Sequence, residues 1–254
     1  MDSTAAGFEV VDAPSGWRVG RLAILGQVQS VAHLVSTRDG PNGASVAAGD
    51  EHAWVNRLAL MEILGARRLV CARQVHGVRV ADADTARDGE VGADAVMTNR
   101  PGVALMGLSA DCALVLVADA VTGAVGMAHA GWRGTLGGVV AGLVGRMSAA
   151  YGCRPADMLA GLCPSAGPCC YEVGDDVAGA AREAGASDFV ELRGGRTYFD
   201  LWRANVEQLT RAGLRAENVQ VAGVCTICDG RFFSVRREGK HTGRFAGMIA
   251  RVEP

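Results

Sequence analysis

The chain has 254 residues, enough for one large domain or two small ones with a substantial core. Apolar residues make up 49% and the formal net charge is −2, which excludes a disordered chain and gives no global reason to expect nucleic acid or an anionic membrane as partner. The N-terminus, MDSTAAGFEVVDAPSGW, lacks a basic segment followed by an apolar one, so no signal peptide is expected and the protein is read as cytoplasmic.

Residues 1–29 read as an N-terminal segment, either an edge strand or partly ordered, and residues 30–254 as a single domain. SVAHLVSTRDG (30–40) predicts a strand running into a loop, and GPNGASVAAGDEH (40–52) is loop-like. WVNRLALMEILGA (54–66) has apolar residues near helical spacing, with Gly65 as its stop. LVCARQVHG (69–77) predicts a strand ending in a turn. Short apolar strands follow at 93–98, 103–110, 112–119 and 124–130, the last two joined by a tight turn at VTG. Thr135 then reads as the N-cap of a helix whose apolar face is Leu136, Val139, Val140, Leu143, Val144 and Met147.

The last third predicts a strand (MLAGLC), a helix (VGDDVAGAAREAG), and a helix (DLWRANVEQLTRAG) with Asp200 as its N-cap. Strands VQVAGVC, FFSVRR and GMIARV complete it. No GxGxxG follows a strand and no GxxxxGK[ST] is present. The pattern is one α/β domain of mixed strand order, not a dinucleotide-binding unit.

Three polar clusters interrupt the apolar segments: RQVHG with His76, SADC with Asp111 and Cys112, and AHAGWRG with His129. Histidine and cysteine are the ligand types that suit zinc, and three protein ligands leave one position open for catalysis. They are too far apart in sequence for a local finger. They either share a site or are unrelated core residues.

QVHG, ADAVMT, SADCALVLVAD, GMAHAGWRGT, PCCYEVGDDV and FFSVRREGKHTGRFAGMI, in that order, resemble the family variously called laccase-domain, multicopper polyphenol oxidase or purine nucleoside phosphorylase. The resemblance runs from about Ser30 to the C-terminus. It implies a layered α/β sandwich of mixed sheets flanked by helices, and zinc held by His76, Cys112 and His129. It implies phosphorolysis of adenosine, inosine and methylthioadenosine, and adenosine deamination; purine nucleosides and phosphate are the expected partners. The sequence departs from the family at STRDG, where a GG is usual after STR, and at Cys163, where glycine-proline is usual.

Arg38, Arg133, Lys240 and Arg244 are the candidate anion-binding groups. Arg133 reads equally as a salt-bridge partner holding its turn. Trp132, Phe232 and Phe233 are candidates to stack on a base, although a buried strand explains the phenylalanine pair as well. Glu172 is a candidate proton shuttle or a charge at a helix N-terminus. Asp111 reads as an orienter of a ligand histidine or as a cap. Cys225 and Cys228 have redox or zinc spacing without a thioredoxin-like context, and are read as a packed turn. Cys169 and Cys170 are expected beside the pocket.

The oxidase name demands a multi-histidine copper cluster, and the chain has only 5 histidines. One His₂Cys site suits Lewis-acid and hydrolytic work instead, with copper able to occupy it in vitro through its higher raw affinity. A different class of reading makes Cys112 and His129 a nucleophile and base. The family fold resembles a deamidating toxin domain, and some members are linked to editing nucleotide-linked peptidoglycan precursors.

Overall fold

Alternation along the strands builds two sheets that are buried on both faces. A computed structural model of the chain describes residues 7–13, 16–40, 45–47, 49–85 and 92–253. Part of the loop expected over 40–52 lies outside these residues, as do residues 1–6.

The first sheet has the order β1-β2-β3-β14-β7-β4, formed by Phe8–Asp12, Arg18–Leu22, Val31–Ser36, Phe245–Arg251, Val103–Ser109 and Arg68–Val70. The second has the order β13-β10-β8-β9-β6-β5, formed by Val219–Val221, Met158–Leu162, Ala113–Asp119, Val125–Ala130, Ala95–Thr98 and Val80–Asp82. Both are mixed: β4 runs parallel to β7, β5 to β6 and β10 to β13, while the other pairs are antiparallel. A separate hairpin, β11 (Val190–Arg193) and β12 (Arg196–Phe199), stands outside them.

On β8, Leu114 and Leu116 join an apolar layer shared with Leu105 of β7 and Ile249 of β14, so this core lies between the sheets. Ala113, Val115 and Val117 of β8 face the other way, onto α3 (Val139–Tyr151) and α5 (Leu201–Arg211). Ala246, Met248 and Ala250 of β14 meet Leu60 of α1 (Ala53–Ile63). The result is a single-domain sandwich with a helix on one outer face and helices on the other, as the motifs implied. Period-two side-chain alternation lets each strand serve two cores. Among the described residues no helix is long and apolar enough to cross a membrane.

The sequence-based expectations fail at three elements. The helix expected from Thr135 divides into α2 (Trp132–Leu136) and α3, separated at Gly137 and Gly138. Thr135 is not a cap: it is buried within α2 and donates to the Ala130 carbonyl at 3.1 Å, with the Asn205 amide 3.0 Å away. Gly138 begins α3 in the left-handed region, at φ 84°. FFSVRR is not a strand. Phe232 and Phe233 are buried, and Ser234 caps α6 (Val235–Glu238), accepting from the Arg237 amide. VQVAGVC shortens to the three residues of β13. Asp200 does cap α5, accepting from the Arg203 amide at 2.9 Å. The helix expected at VGDDV is α4 (Asp175–Glu183), with Asp175 and Asp176 in its first turn.

α3 contains Gly142 and Gly145, each costing about 1 kcal/mol against alanine. It buries Val139, Val140, Leu143, Val144 and Met147, worth about 1.5–3 kcal/mol apiece, so packing decides the outcome. A Cβ at either Gly138 or Gly145 would meet nothing within 4 Å. Conformation alone therefore separates them. Gly145→Ala is expected to stabilise the protein by about 0.5–1 kcal/mol. Gly138→Ala, at positive φ, is expected to destabilise it by about 1–2 kcal/mol. Urea midpoints at constant slope check the opposite signs; equal shifts would contradict the left-handed assignment.

Candidate active site

His129 continues the inward-facing set of β9 after Val125 and Met127, and pairs in register with Leu114 of β8. Cys112 lies just before β8, one step beyond the Ala113–Ala130 pair, and so comes beside Gly131. The site therefore opens at one end of the layer between the sheets. His76 arrives from the loop that follows β4. Its backbone is left-handed, at φ 59°.

One carboxylate assembles these parts. Asp94, buried just before β6, accepts from the Val75, His76 and Gly77 amides at 3.2, 2.9 and 2.7 Å. It also accepts a hydrogen bond from His129 Nδ1 at 2.8 Å. A carboxylate cannot donate, so this bond fixes the His129 tautomer and leaves Nε2 as the free ring donor atom. The ligand atoms of His76, Cys112 and His129 all lie within 4.8 Å of one another. The two imidazoles meet edge to face, 4.9 Å between centroids.

Electrostatics polarise the trio. Burial alone would raise the Cys112 thiol, but hydrogen bonds from His129 and His76 bring it down to about 6. Burial opposes charge on His129, yet bonds to Asp94 and Cys112 lift it to about 9. Without metal the site is thus set toward thiolate and imidazolium. Such a thiolate, with one imidazole oriented by a carboxylate behind it, is a donor set that fits zinc. Gly131 is required by space rather than by turn geometry. Its φ of −65° suits any residue, but a Cβ there would stand 2.8 Å from Cys112 Sγ.

The remaining histidines do not extend the site. His33 is buried on β3, where its Nε2 accepts from the Leu22 amide at 2.9 Å; burial drives it down to about 4, so it stays neutral. His52 precedes α1, and His241 lies at the cavity wall outside the cluster.

The trio opens into a cavity of about 1080 Å³. Arg57, Arg73, Arg236, Lys240 and Arg244 contribute cations to its lining. Arg57 and Arg244 spend donors on nearby carbonyls, and Arg236 holds the Glu172 carbonyl at 2.7 Å. Among the described residues no carboxylate pairs with Arg73 or Lys240. Tyr171 supplies the aromatic wall, under the Arg236 guanidinium at 5.0 Å. Burial, reinforced by Cys112, pushes its phenol up to about 12, so it remains a neutral donor.

Of the residues proposed from sequence, Lys240 and Arg244 line this cavity. Arg38 does not: it pairs with Glu238 at 2.5 Å and lies over the Phe233 ring. Phe233 is buried against that arginine, outside the cavity lining. Glu172 pairs with Arg196 at 3.1 Å. Arg133 is exposed and stacks on Trp132 at 4.0 Å, away from the trio. Sequence reasoning missed Asp94, Arg236, Arg73 and Tyr171. Asp94 was detectable as the lone charge at the head of the apolar ADAVMT strand.

Asp94→Asn keeps the shape and removes the charge that orients His129. It is expected to weaken zinc binding about 10- to 100-fold in chelator competition. Gly131→Ala should weaken it too, by displacing Cys112 Sγ. Unchanged zinc affinity in Asp94→Asn would show that the carboxylate does not orient the ligand.

Residues 39–252 match the family model described as multi-copper polyphenol oxidoreductase laccase. The chain is 40% identical over 240 residues to a purine nucleoside phosphorylase of Xylella fastidiosa, covering 85% of this chain and 90% of that one. It is 34% identical over 223 residues to the purine nucleoside phosphorylase YlmD of Geobacillus stearothermophilus, covering 81% of each. The crystal structure of YlmD superposes with a TM-score of 0.84 at 30% identity, over 96% of this chain and 99% of that one. The hypothetical protein YfiH of Bacillus licheniformis gives 0.84 at 29% identity, over 97% and 99%. With the fold, the motifs and most of its length in common, the chain belongs to the laccase-like multi-copper polyphenol oxidoreductase family.

Proposed function

We propose that the protein is a zinc-dependent purine nucleoside phosphorylase acting on adenosine, inosine and methylthioadenosine, with adenosine deaminase activity at the same site. The observation that carries the reading is the convergence of His76, Cys112 and His129 at one cation-lined cavity. Relatives at 34–40% identity that are named purine nucleoside phosphorylases support it. Zinc held by the trio would supply Lewis-acid polarisation and an acidified water at the open side. Arg73 and Lys240, with charge to spare, bind phosphate, and Arg236 adds to the field while bracing the loop at Glu172. Tyr171 offers a ring face and a neutral hydroxyl to the nucleoside. Asp94 stays the hydrogen-bond acceptor of His129 Nδ1 and does not contact substrate.

A second reading has one observation in its favour. The lowered thiol of Cys112 and the raised imidazole of His129, with Asp94 behind, form a nucleophile, base and orienter. That arrangement suits an amidohydrolase acting on nucleotide-linked peptidoglycan precursors, with the cations holding the diphosphate. Chelation separates the two: zinc removal abolishes phosphorolysis but leaves a thiol-dependent amidase active.

The phosphate assignment predicts that Lys240→Gln and Arg73→Gln each lose a charged hydrogen bond. About 1.5–3 kcal/mol corresponds to about a 10- to 100-fold fall in kcat/KM for phosphorolysis. Deamination, which uses no phosphate, should change far less. Arg133→Lys, outside the cavity, should leave both reactions alone. A phosphorolysis defect confined to Arg133→Lys would reverse the assignment.

The oxidase reading fares worse on ligand supply, because three of the five histidines stand outside the trio. Copper-free, zinc-loaded protein is expected not to oxidise phenols. Undiminished oxidation after stringent copper removal would defeat the ligand argument.

A further inference from the structure

A second cluster of soft ligands lies apart from the cavity. β10 and β13 are parallel neighbours, with Leu162 beside Val221, so the loops that follow them leave the same end of the sheet. One loop carries Cys169 and Cys170 and the other Cys225 and Cys228; a bridge between Ser165 and Cys225 ties them. All four sulfurs lie within 4.8 Å of one another. Cys169 and Cys170 stand 3.8 and 3.2 Å from Cys228. The packed turn expected at CTIC is there, with the Cys228 and Asp229 amides donating to the Cys225 carbonyl. Its sulfurs, however, converge with the CC pair rather than packing as isolated thiols.

We infer that Cys169, Cys170, Cys225 and Cys228 bind a structural zinc ion, separate from the His₂Cys site. Tetrahedral coordination at a Zn–S distance of about 2.3 Å needs sulfurs about 3.8 Å apart, the scale of this cluster. A disulfide would need about 2.05 Å, and the cluster has four members rather than a pair. The Gly167 amide donates to Cys225 Sγ at 3.3 Å. Arg193 donates to the Cys169 carbonyl at 3.0 Å. Arg237 of α6 donates to the carbonyls of Thr226, Ile227 and Asp229. An arginine from β11 and one from α6 thus brace the backbone of the two cysteine loops.

The position gives the ion a purpose. Thr226, between the two cysteines of CTIC, donates to Asp111 at 2.8 Å, and Asp111 precedes Cys112. Cys170 precedes Tyr171 of the cavity wall. Zinc at the four thiolates staples both loops and so positions the active-site wall without touching substrate. Formation is charge-balanced: four thiols lose protons to solvent as one divalent ion binds, with no change of oxidation state.

Elemental analysis of full-length protein, purified anaerobically with zinc, tests this. Wild type should hold a second zinc per chain. Cys112→Ala should lose only the first, and Cys170→Ser/Cys228→Ser only the second. Cobalt in Cys112→Ala should give a tetrathiolate spectrum. Because the serine variant could misfold, wild-type alkylation provides an independent arm. Cys169 and Cys228, although exposed, should react slowly until a chelator is added. The inference is overturned by a single zinc that Cys112→Ala removes, by retention of the second zinc in a folded serine variant, by alkylation rates indifferent to chelator, or by recovery of the four cysteines as disulfides.

Discussion

The candidate site depends on one buried carboxylate. Asp94 is buried, and among the described residues no lysine or arginine pairs with it; four donors hold it instead, three amides and one imidazole. A buried charge held by fewer bonds would cost several kcal/mol. Because the amides belong to the His76 loop and the imidazole to β9, satisfying the charge forces the two elements together. Cys112 follows, since the register of β8 against β9 brings it alongside. The trio is thus assembled by a carboxylate that is not one of its members.

Close packing also explains the first glycine of AHAGWRGT, Gly131. The cluster is packed so closely that a methyl group at position 131 would collide with the thiol sulfur. The two glycines further along, at 137 and 138, stop α2 after a little more than one turn and let α3 start in a new direction. A continuous helix from Thr135 would carry Thr135 away from its bonds to Ala130 and Asn205. Tertiary hydrogen bonding at a buried hydroxyl here outweighs the apolar periodicity that runs through Leu136.

Most of the strands and the long helices were legible in the sequence, because their side-chain periods report burial directly. So were the three polar residues that the fold brings together, His76, Cys112 and His129, because each interrupts an apolar stretch. What escaped is instructive. FFSVRR has a strand-like composition, but Phe232 and Phe233 are buried without pairing and Ser234 caps a helical turn that places Arg236 at the cavity. Arg38 and Arg133 carry charge in suggestive places, yet pairing and stacking take them away from the site. Which cation remains available is decided by partners far away in sequence. The convergence of CC with CTIC was hidden for the same reason: only the parallel pairing of β10 with β13 brings those loops together.

Among the described residues, His76 and Asp111 alone, apart from glycines, have positive φ, at 59° and 114°. Both adjoin the site, where strain persists only if the surroundings over-determine it. Asp94 holds His76 through its amide. Asp111 is held by its own side chain, which accepts from Thr226 Oγ1 and from the Arg236 amide, both at 2.8 Å, and so caps the first turn of α6. It is therefore a cap and not an orienter of a ligand histidine. Each of these acids has its oxygens committed to donors that the fold cannot spare, so neither is free to shuttle protons. The cavity has other groups that can exchange protons, among them the Tyr171 hydroxyl, Lys240 and His241. The two carboxylates serve geometry, and the chemistry is left to groups that the strain holds in place.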